Sequence, residues 1–314
     1  MFKVTNIIQP QICDLNPYKP GMPIETLARN YGLDPANIIK LASNENPDGM
    51  SPAAHEAAQH ALLDVHRYPD GFPLRQALAS HYGIPESMIT IGNGSNDVLD
   101  LIARVFLGKG TEAISSQYAF CVYNIVTKIT GAKNVIVPAL DYGHDLDAMQ
   151  AAVTDATRVV WIANPNNPTG THVGYEALER FIENLPEHVI IALDEAYYEY
   201  LSDDVIVDTV QWLKRYPQLI IIRTFSKAYG LAGLRVGYGL ASTEITDLLN
   251  RVRQPFNASH VAIIAATAAL ADQSFVTQSY ERNMAGVNQI TTGLDELGLE
   301  YIPTSGNFVT VKFA

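Results

Sequence analysis

Short apolar runs recur along the middle of the chain at regular intervals, with amphipathic stretches between them. The runs are MITIG (88–92), EAISS (112–116), NVIVPA (134–139), VVWIA (159–163), VIIAL (189–193), LIIIRTF (219–225) and VGYGLA (236–241). Each predicts a strand. VVWIA and VIIAL are continuously apolar, as expected of parallel strands buried on both faces. NDVLDLIARVF, AFCVYNIVTKITGA and DLDAMQAAV carry helical patterning, the second closed by Gly131. Strands alternating with helices of about 10–15 residues predict an α/β fold, a mostly parallel sheet with helices on both sides. Upstream, Pro52 opens a predicted helix over AAHEAAQHALLDV, and DGFPLRQALASHYG predicts a second one ended by Gly83. The first forty residues are rich in Pro and Asn, and PYKPGMP reads as an irregular arm. No repeat or low-complexity segment interrupts this order.

Composition narrows the partners. A chain of 314 residues, 47% hydrophobic, can bury a sizeable core, and its length suggests two or three domains. The net charge of −12 argues against nucleic acid and anionic membranes, and is itself a common route to solubility. An anionic ligand would have to be held by a local cluster of donors. Cys13 and Cys121 are the only cysteines, far apart, with no disulfide framework or metal-ligand spacing. The N-terminal stretch lacks an apolar signal-peptide core, and no window approaches the roughly 20 apolar residues of a membrane span. The expectation is a soluble cytoplasmic protein without a metal site.

In such sheets ligands bind beyond the carboxyl ends of the strands. Five loops there begin at Gly92, Gln117, Asn164, Asp194 and Ser226, each with polar or charged groups. In TFSKAYGLAGLRVGY (224–238), Lys227 lies among small residues near Arg235, which can lower its pKa and make the amine a nucleophile toward a carbonyl. Thr224 and Ser226 add hydroxyls, and Arg235 can pair with a phosphate. A solvated loop lysine fits Lys227 alone equally well. In LDEAYYEY, Asp194 ends an apolar strand and requires a cation such as a pyridinium, although capping the next turn is an alternative. Tyr197 can donate to a phenolate oxygen. ANPNNPTG (163–170) forces a defined loop that presents Asn167. IGNGSNDVLDLI places Ser95 and Asn96 where a strand opens into a helix, a natural anion site. A dinucleotide fingerprint is weak here, because Asp97 stands where its third glycine belongs.

Together GNGSND, NPNNPTG, DEAYY and SKAYGLAGLRVGY, in this order, resemble the fold-type I pyridoxal-phosphate enzymes of the aspartate-aminotransferase superfamily. The resemblance implies pyridoxal 5'-phosphate as cofactor and Lys227 as the lysine that forms a Schiff base with it and shuttles protons. It implies Asp194 on the pyridine nitrogen and Asn167 and Tyr197 on the ring oxygen. Ser95, Asn96, Thr224, Ser226 and Arg235 match phosphate-binding positions, and Tyr118 matches the aromatic stacked on the ring. PYKPGMPIETLARNYGL, IIKLASNENPDGMSP and HRYPDG are similar to the N-terminal signatures of the histidinol-phosphate aminotransferases. That similarity places Tyr68 on the partner subunit's cofactor in a homodimer, with Tyr18 and Asn44 on the substrate side.

The implied fold is a large cofactor domain over residues 41–250 and a smaller α+β domain from the arm (1–40) and the C-terminal segment (251–314). The implied reaction moves an amino group from L-histidinol phosphate to 2-oxoglutarate in histidine biosynthesis. Aromatic or broad-specificity aminotransferases, a threonine-phosphate decarboxylase and a catalytically silent cofactor-binding protein remain as alternatives. Members of the family continue some forty residues past the GNFV strand (306–309), with an arginine for the substrate carboxylate. No residue here matches that arginine, so the resemblance implies that the family's final segment lies outside this sequence.

Overall fold

The computed structural model describes residues 7–313; the extreme ends of the expected arm (1–6) and of the C-terminal segment (314) lie outside them. After the arm and α1 (Ile24–Tyr31) come α2 (Pro52–Ala61) and α3 (Phe72–Tyr82). Ser51 caps α2 through its hydroxyl, Pro52 occupies its first turn, and Gly83 ends α3 in the left-handed region. The alternating part follows as β1 (Ile89–Gly92), α4 (Ser95–Phe106), β2 (Glu112–Ser116), α5 (Cys121–Ile129), β3 (Lys133–Val137), α6 (Leu146–Ala151), β4 (Thr157–Ala163), α7 (Tyr175–Glu183) and β5 (Ile190–Asp194). It continues with β6 (Leu219–Thr224), β7 (Gly237–Ala241), α8 (Thr243–Val252), α9 (His260–Ala271) and α10 (Gln273–Glu296). A two-stranded sheet of β8 (Tyr301–Ile302) and β9 (Thr310–Val311) closes the chain.

The seven strands of the main sheet run in the order β1-β7-β6-β5-β4-β2-β3. All neighbouring pairs from β3 to β6 are parallel, whereas β7 pairs antiparallel with both β6 and β1. Successive residues of the central strands alternate between two cores. Val160, Ile162, Ile191, Leu193 and Ile221 face α3, α7 and α9. Val159, Trp161, Ala192, Ile220 and Ile222 face α4, α5 and α8. The large, doubly covered sheet expected from sequence is therefore present, with a small second sheet beside it.

Residue 251, the expected start of the small domain, is not a packing boundary. α9 is apolar on all sides (HVAIIAATAALA), lies against α2 and α3, and buries Ala262, Ile263, Ala266 and Leu270 in the core of the main sheet. No single helix among the described residues is long and apolar enough to cross a membrane.

Candidate active site

Beyond the carboxyl ends of the central strands lies a cavity of about 450 Å³. Its walls include Lys227, Asp194, Tyr197, Asn167, Ser95, Asn96, Thr224, Ser226 and Arg235, with Tyr18 from the arm and Asn44 just after it. Eleven of the thirteen side chains singled out in the sequence thus converge on one space.

Lys227 follows β6 in a tight loop, where its carbonyl accepts from Gly230 N–H at 2.9 Å. Its Nζ donates to the Asn44 carbonyl at 3.3 Å and lies 5.4 Å from the centre of the Tyr197 ring. Burial pulls the Lys227 ammonium down to about 8; Glu45 and Asp194 oppose this and Arg235 adds to it. This is a partly buried lysine, about a tenth of it neutral at pH 7, not a solvated one.

One end of the cavity suits an anion. Gly94 is the N-cap of α4 and offers no side chain, so the first N–H groups of that helix are left for a ligand. Gly94 has φ of 78°, and a Cβ there would overlap the Arg235 guanidinium. A Cβ on Gly237 would likewise press on the backbone of Gly94 and Ser95. Two glycines thus let β7 and Arg235 close onto the helix terminus. Arg235 Nη1 donates to Ser226 Oγ at 3.3 Å, and Thr224 Oγ1 accepts from Ser226 N–H at 3.1 Å. Arg235 itself is held at φ of 57°, a left-handed conformation unusual for a side-chain-bearing residue.

The opposite end is built around Asp194, buried at the last position of β5. Its Oδ2 accepts from the Tyr123 hydroxyl at 2.8 Å and its Oδ1 from Ala196 N–H at 3.1 Å. Both donors are neutral, and Asp194 belongs to none of the ion pairs among the described residues. Burial raises its pKa to about 6, against the pull of those hydrogen bonds. A buried carboxylate of this kind has room for one cationic donor. Glu195, the next residue, points to the other side of the sheet, where Arg223 pairs with it at 2.8 Å and Thr209 donates to it.

Between the two ends, the Tyr197 hydroxyl accepts from Asn167 Nδ2 at 3.2 Å and from Asn44 Nδ2 at 3.0 Å. Asn164 and Asn166 hold the loop itself: Asn164 exchanges two bonds with the Val173 backbone, and Asn166 donates to the Tyr118 carbonyl and Thr169. Only Asn167 of the three is turned to the cavity. The Asn44 carbonyl also accepts from Asn307 Nδ2 at 3.0 Å, which ties the segment after the arm to the C-terminal segment.

Two expected residues stand apart. Tyr118 is on the rim against Tyr142, with ring centres 5.8 Å apart, while Ala119, Phe120 and Cys121 line the cavity. Tyr68 is 81% exposed and stacked on Phe256 at 4.4 Å, away from the cavity of its own chain. Sequence reasoning missed Tyr123, whose spacing with Val126 and Thr127 on α5 marks an ordinary core-facing stripe. The available signal was its hydroxyl, since a buried tyrosine requires a polar partner.

The donor set fits pyridoxal phosphate: a depressed lysine, an anion cradle on a helix terminus, and a buried carboxylate lacking a cation. The model for aminotransferases of class I and II matches residues 36–313, and the chain belongs to that family. It is 54% identical over 298 residues to histidinol-phosphate aminotransferase 1 of Dechloromonas aromatica, covering 95% of this chain and 82% of that protein. It is 55% identical over 300 residues to histidinol-phosphate aminotransferase of Methylobacillus flagellatus, covering 95% and 81%. Among solved structures, histidinol-phosphate aminotransferase of Sinorhizobium meliloti in complex with pyridoxal-5'-phosphate superposes with a TM-score of 0.87 at 33% identity, over 97% of this chain and 82% of that one. A Thermus thermophilus aspartate aminotransferase mutant shares the fold, with a TM-score of 0.83 at 22% identity over 95% and 83% of the two chains.

Proposed function

We propose that this chain is a pyridoxal-phosphate aminotransferase that moves the amino group of L-histidinol phosphate to 2-oxoglutarate in histidine biosynthesis. The observation that carries the reading is Asp194, a buried carboxylate without a cation, lining the same cavity as Lys227 and the α4 anion site. Substrate identity rests on the relatives above, more than half identical over nearly the whole chain.

When bound, pyridoxal phosphate supplies an aldehyde that condenses with amines and a protonated ring that draws electrons from the substrate's α-carbon. Asp194 would hold the ring nitrogen, and Asn167 with Tyr197 the ring oxygen. The α4 N–H groups, Ser95, Asn96, Thr224, Ser226 and Arg235 would hold the phosphate. Lys227, as the neutral amine, would hold the cofactor's aldehyde carbon, and its Nζ, once displaced by the incoming substrate amine, would take the proton from the substrate's α-carbon. Tyr18 of the arm and Asn44 just after it would lie on the substrate side, and Tyr118, on the rim, would be the aromatic beside the ring.

Tyr68, exposed and aromatic beside Phe256, would complete a partner's site in a homodimer. The unpaired Cys13 and Cys121 accord with a cytoplasmic location. The test is direct. The purified protein, loaded with pyridoxal phosphate, should convert histidinol phosphate faster than phenylalanine or O-phosphothreonine. Lys227→Ala should lose the lysine-dependent absorbance of the bound cofactor and at least about 1,000-fold in kcat, the scale of removing the attacking and proton-moving group. Equal rates on the three substrates, or an unchanged spectrum, would overturn the reading. Tyr68→Phe should weaken cofactor retention several-fold in a dimer confirmed by sedimentation.

A further inference from the structure

We infer that Tyr123 is a positioning residue for this reaction, one whose hydroxyl fixes the orientation and the charge of the Asp194 carboxylate. The inference rests on the assignment of Asp194 to the cofactor's ring nitrogen. Tyr123 is 1% exposed and held on two sides. Its ring stacks on Trp161 of β4, 5.4 Å away and 3° from parallel, and meets the edge of Phe120 at 5.8 Å. Trp161 is anchored in turn, because its Nε1 donates to Thr127 Oγ1 at 3.2 Å on the same helix as Tyr123. The ring therefore has little freedom, and its hydroxyl ends 2.8 Å from Asp194 Oδ2.

Geometry makes that contact consequential. Tyr123 is on α5 and Asp194 at the end of β5, with β4 between β5 and β2 in the sheet. The hydroxyl reaches Oδ2 while Ala196 N–H holds Oδ1, so the carboxylate is clamped at both oxygens and keeps lone pairs for a ring N–H. The titratable groups facing Asp194 are Tyr123, Tyr197 and Lys227, and the Glu195 charge acts on it from the other side of the sheet. Burial and then the Asp194 charge push the Tyr123 phenol well above its ordinary range, so the proton stays on Tyr123 and the phenol acts only as donor. The same bond opposes the burial that raises Asp194. Without it, Asp194 would hold a proton at higher pH and have less charge to offer the ring nitrogen. A core tyrosine that merely packs would need none of this, since phenylalanine fills the same space.

The experiment compares pyridoxal-phosphate affinity of the cofactor-free protein, from pH 5 to 8, in Tyr123→Phe, Trp161→Phe, Asp194→Asn and the Tyr123→Phe/Asp194→Asn pair. Loss of a hydrogen bond to a charged group predicts a dissociation constant raised roughly tenfold at pH 7 in Tyr123→Phe, with kcat lowered and thermal stability lowered only at the higher pH values, where Asp194 is ionised. The pH below which affinity falls should move upward by about one unit. Trp161→Phe should lower stability and leave that pH in place. In the Asp194→Asn background, Tyr123→Phe should have no further effect on affinity. An unmoved pH break in Tyr123→Phe, or an equal loss with and without Asp194, would overturn the inference. Unchanged affinity in Asp194→Asn alone would instead overturn the assignment of Asp194 to the ring nitrogen. Should Tyr123→Phe not fold, 3-fluorotyrosine at position 123 keeps ring and hydroxyl as a stronger donor. It must then move the break downward; an unmoved break counts against the inference.

Discussion

Asp194 and Glu195 are adjacent carboxylates of the same strand end, both buried, and they meet opposite surroundings. Glu195 lies under the sheet, where its Oε2 accepts from Arg223 Nε at 2.9 Å and Nη2 at 2.8 Å and Thr209 donates its hydroxyl. Asp194 lies above it, held only by neutral donors. The contrast separates charge used to hold the fold from charge kept for a ligand. In the first place the protein supplies the cation; in the second the cation has to arrive.

That difference can be broken by substitution. Arg223→Met leaves Glu195 buried and uncompensated, and should cost about 3–5 kcal/mol of stability, read by urea unfolding of the cofactor-free protein. Asp194→Asn should do the reverse at pH 7 to 8. Its folded pKa, about 6, lies above the ordinary carboxylate value, so it adds stability at low pH that is lost as pH rises through 6. Removing the charge should therefore stabilise the cofactor-free protein by about 3 kcal/mol at pH 8. The gain should vanish near pH 4, while pyridoxal-phosphate affinity at pH 7 falls on the order of 100-fold. If both variants destabilise alike, the two carboxylates do the same work and the distinction fails. The smallest effect sharpens the picture on the opposite side of the cavity. With Lys227 depressed to about 8, the rate of cofactor capture should climb about tenfold per pH unit up to that value and then level off, followed by absorbance.

Much of this was legible beforehand. EAISS is β2 residue for residue, and Pro52, Gly83 and Gly131 stand at the helix and turn boundaries expected of them. The loops at Asn164 and Asp194 follow continuous apolar runs, which mark strands covered on both faces. That same property hid the direction of β7. A strand buried on both sides reads alike either way, so its antiparallel pairing with β6 and β1 leaves no trace in the pattern. The end of the large unit was hidden for a related reason: α9 is apolar all round, and only its packing on α2 and α3 assigns it to the main core.

Within the site the division is the same. By itself the sequence determined the residue types, the loops that carry them, and the family that uses them, because those depend on local periodicity and order along the chain. Tertiary structure alone decided which of Asp194 and Glu195 has its cation supplied, which of three loop asparagines turns inward, and that Tyr123 touches Asp194. Those outcomes depend on what a neighbouring strand or helix places within 3 Å or so, a hydrogen-bond distance that no spacing along the chain encodes.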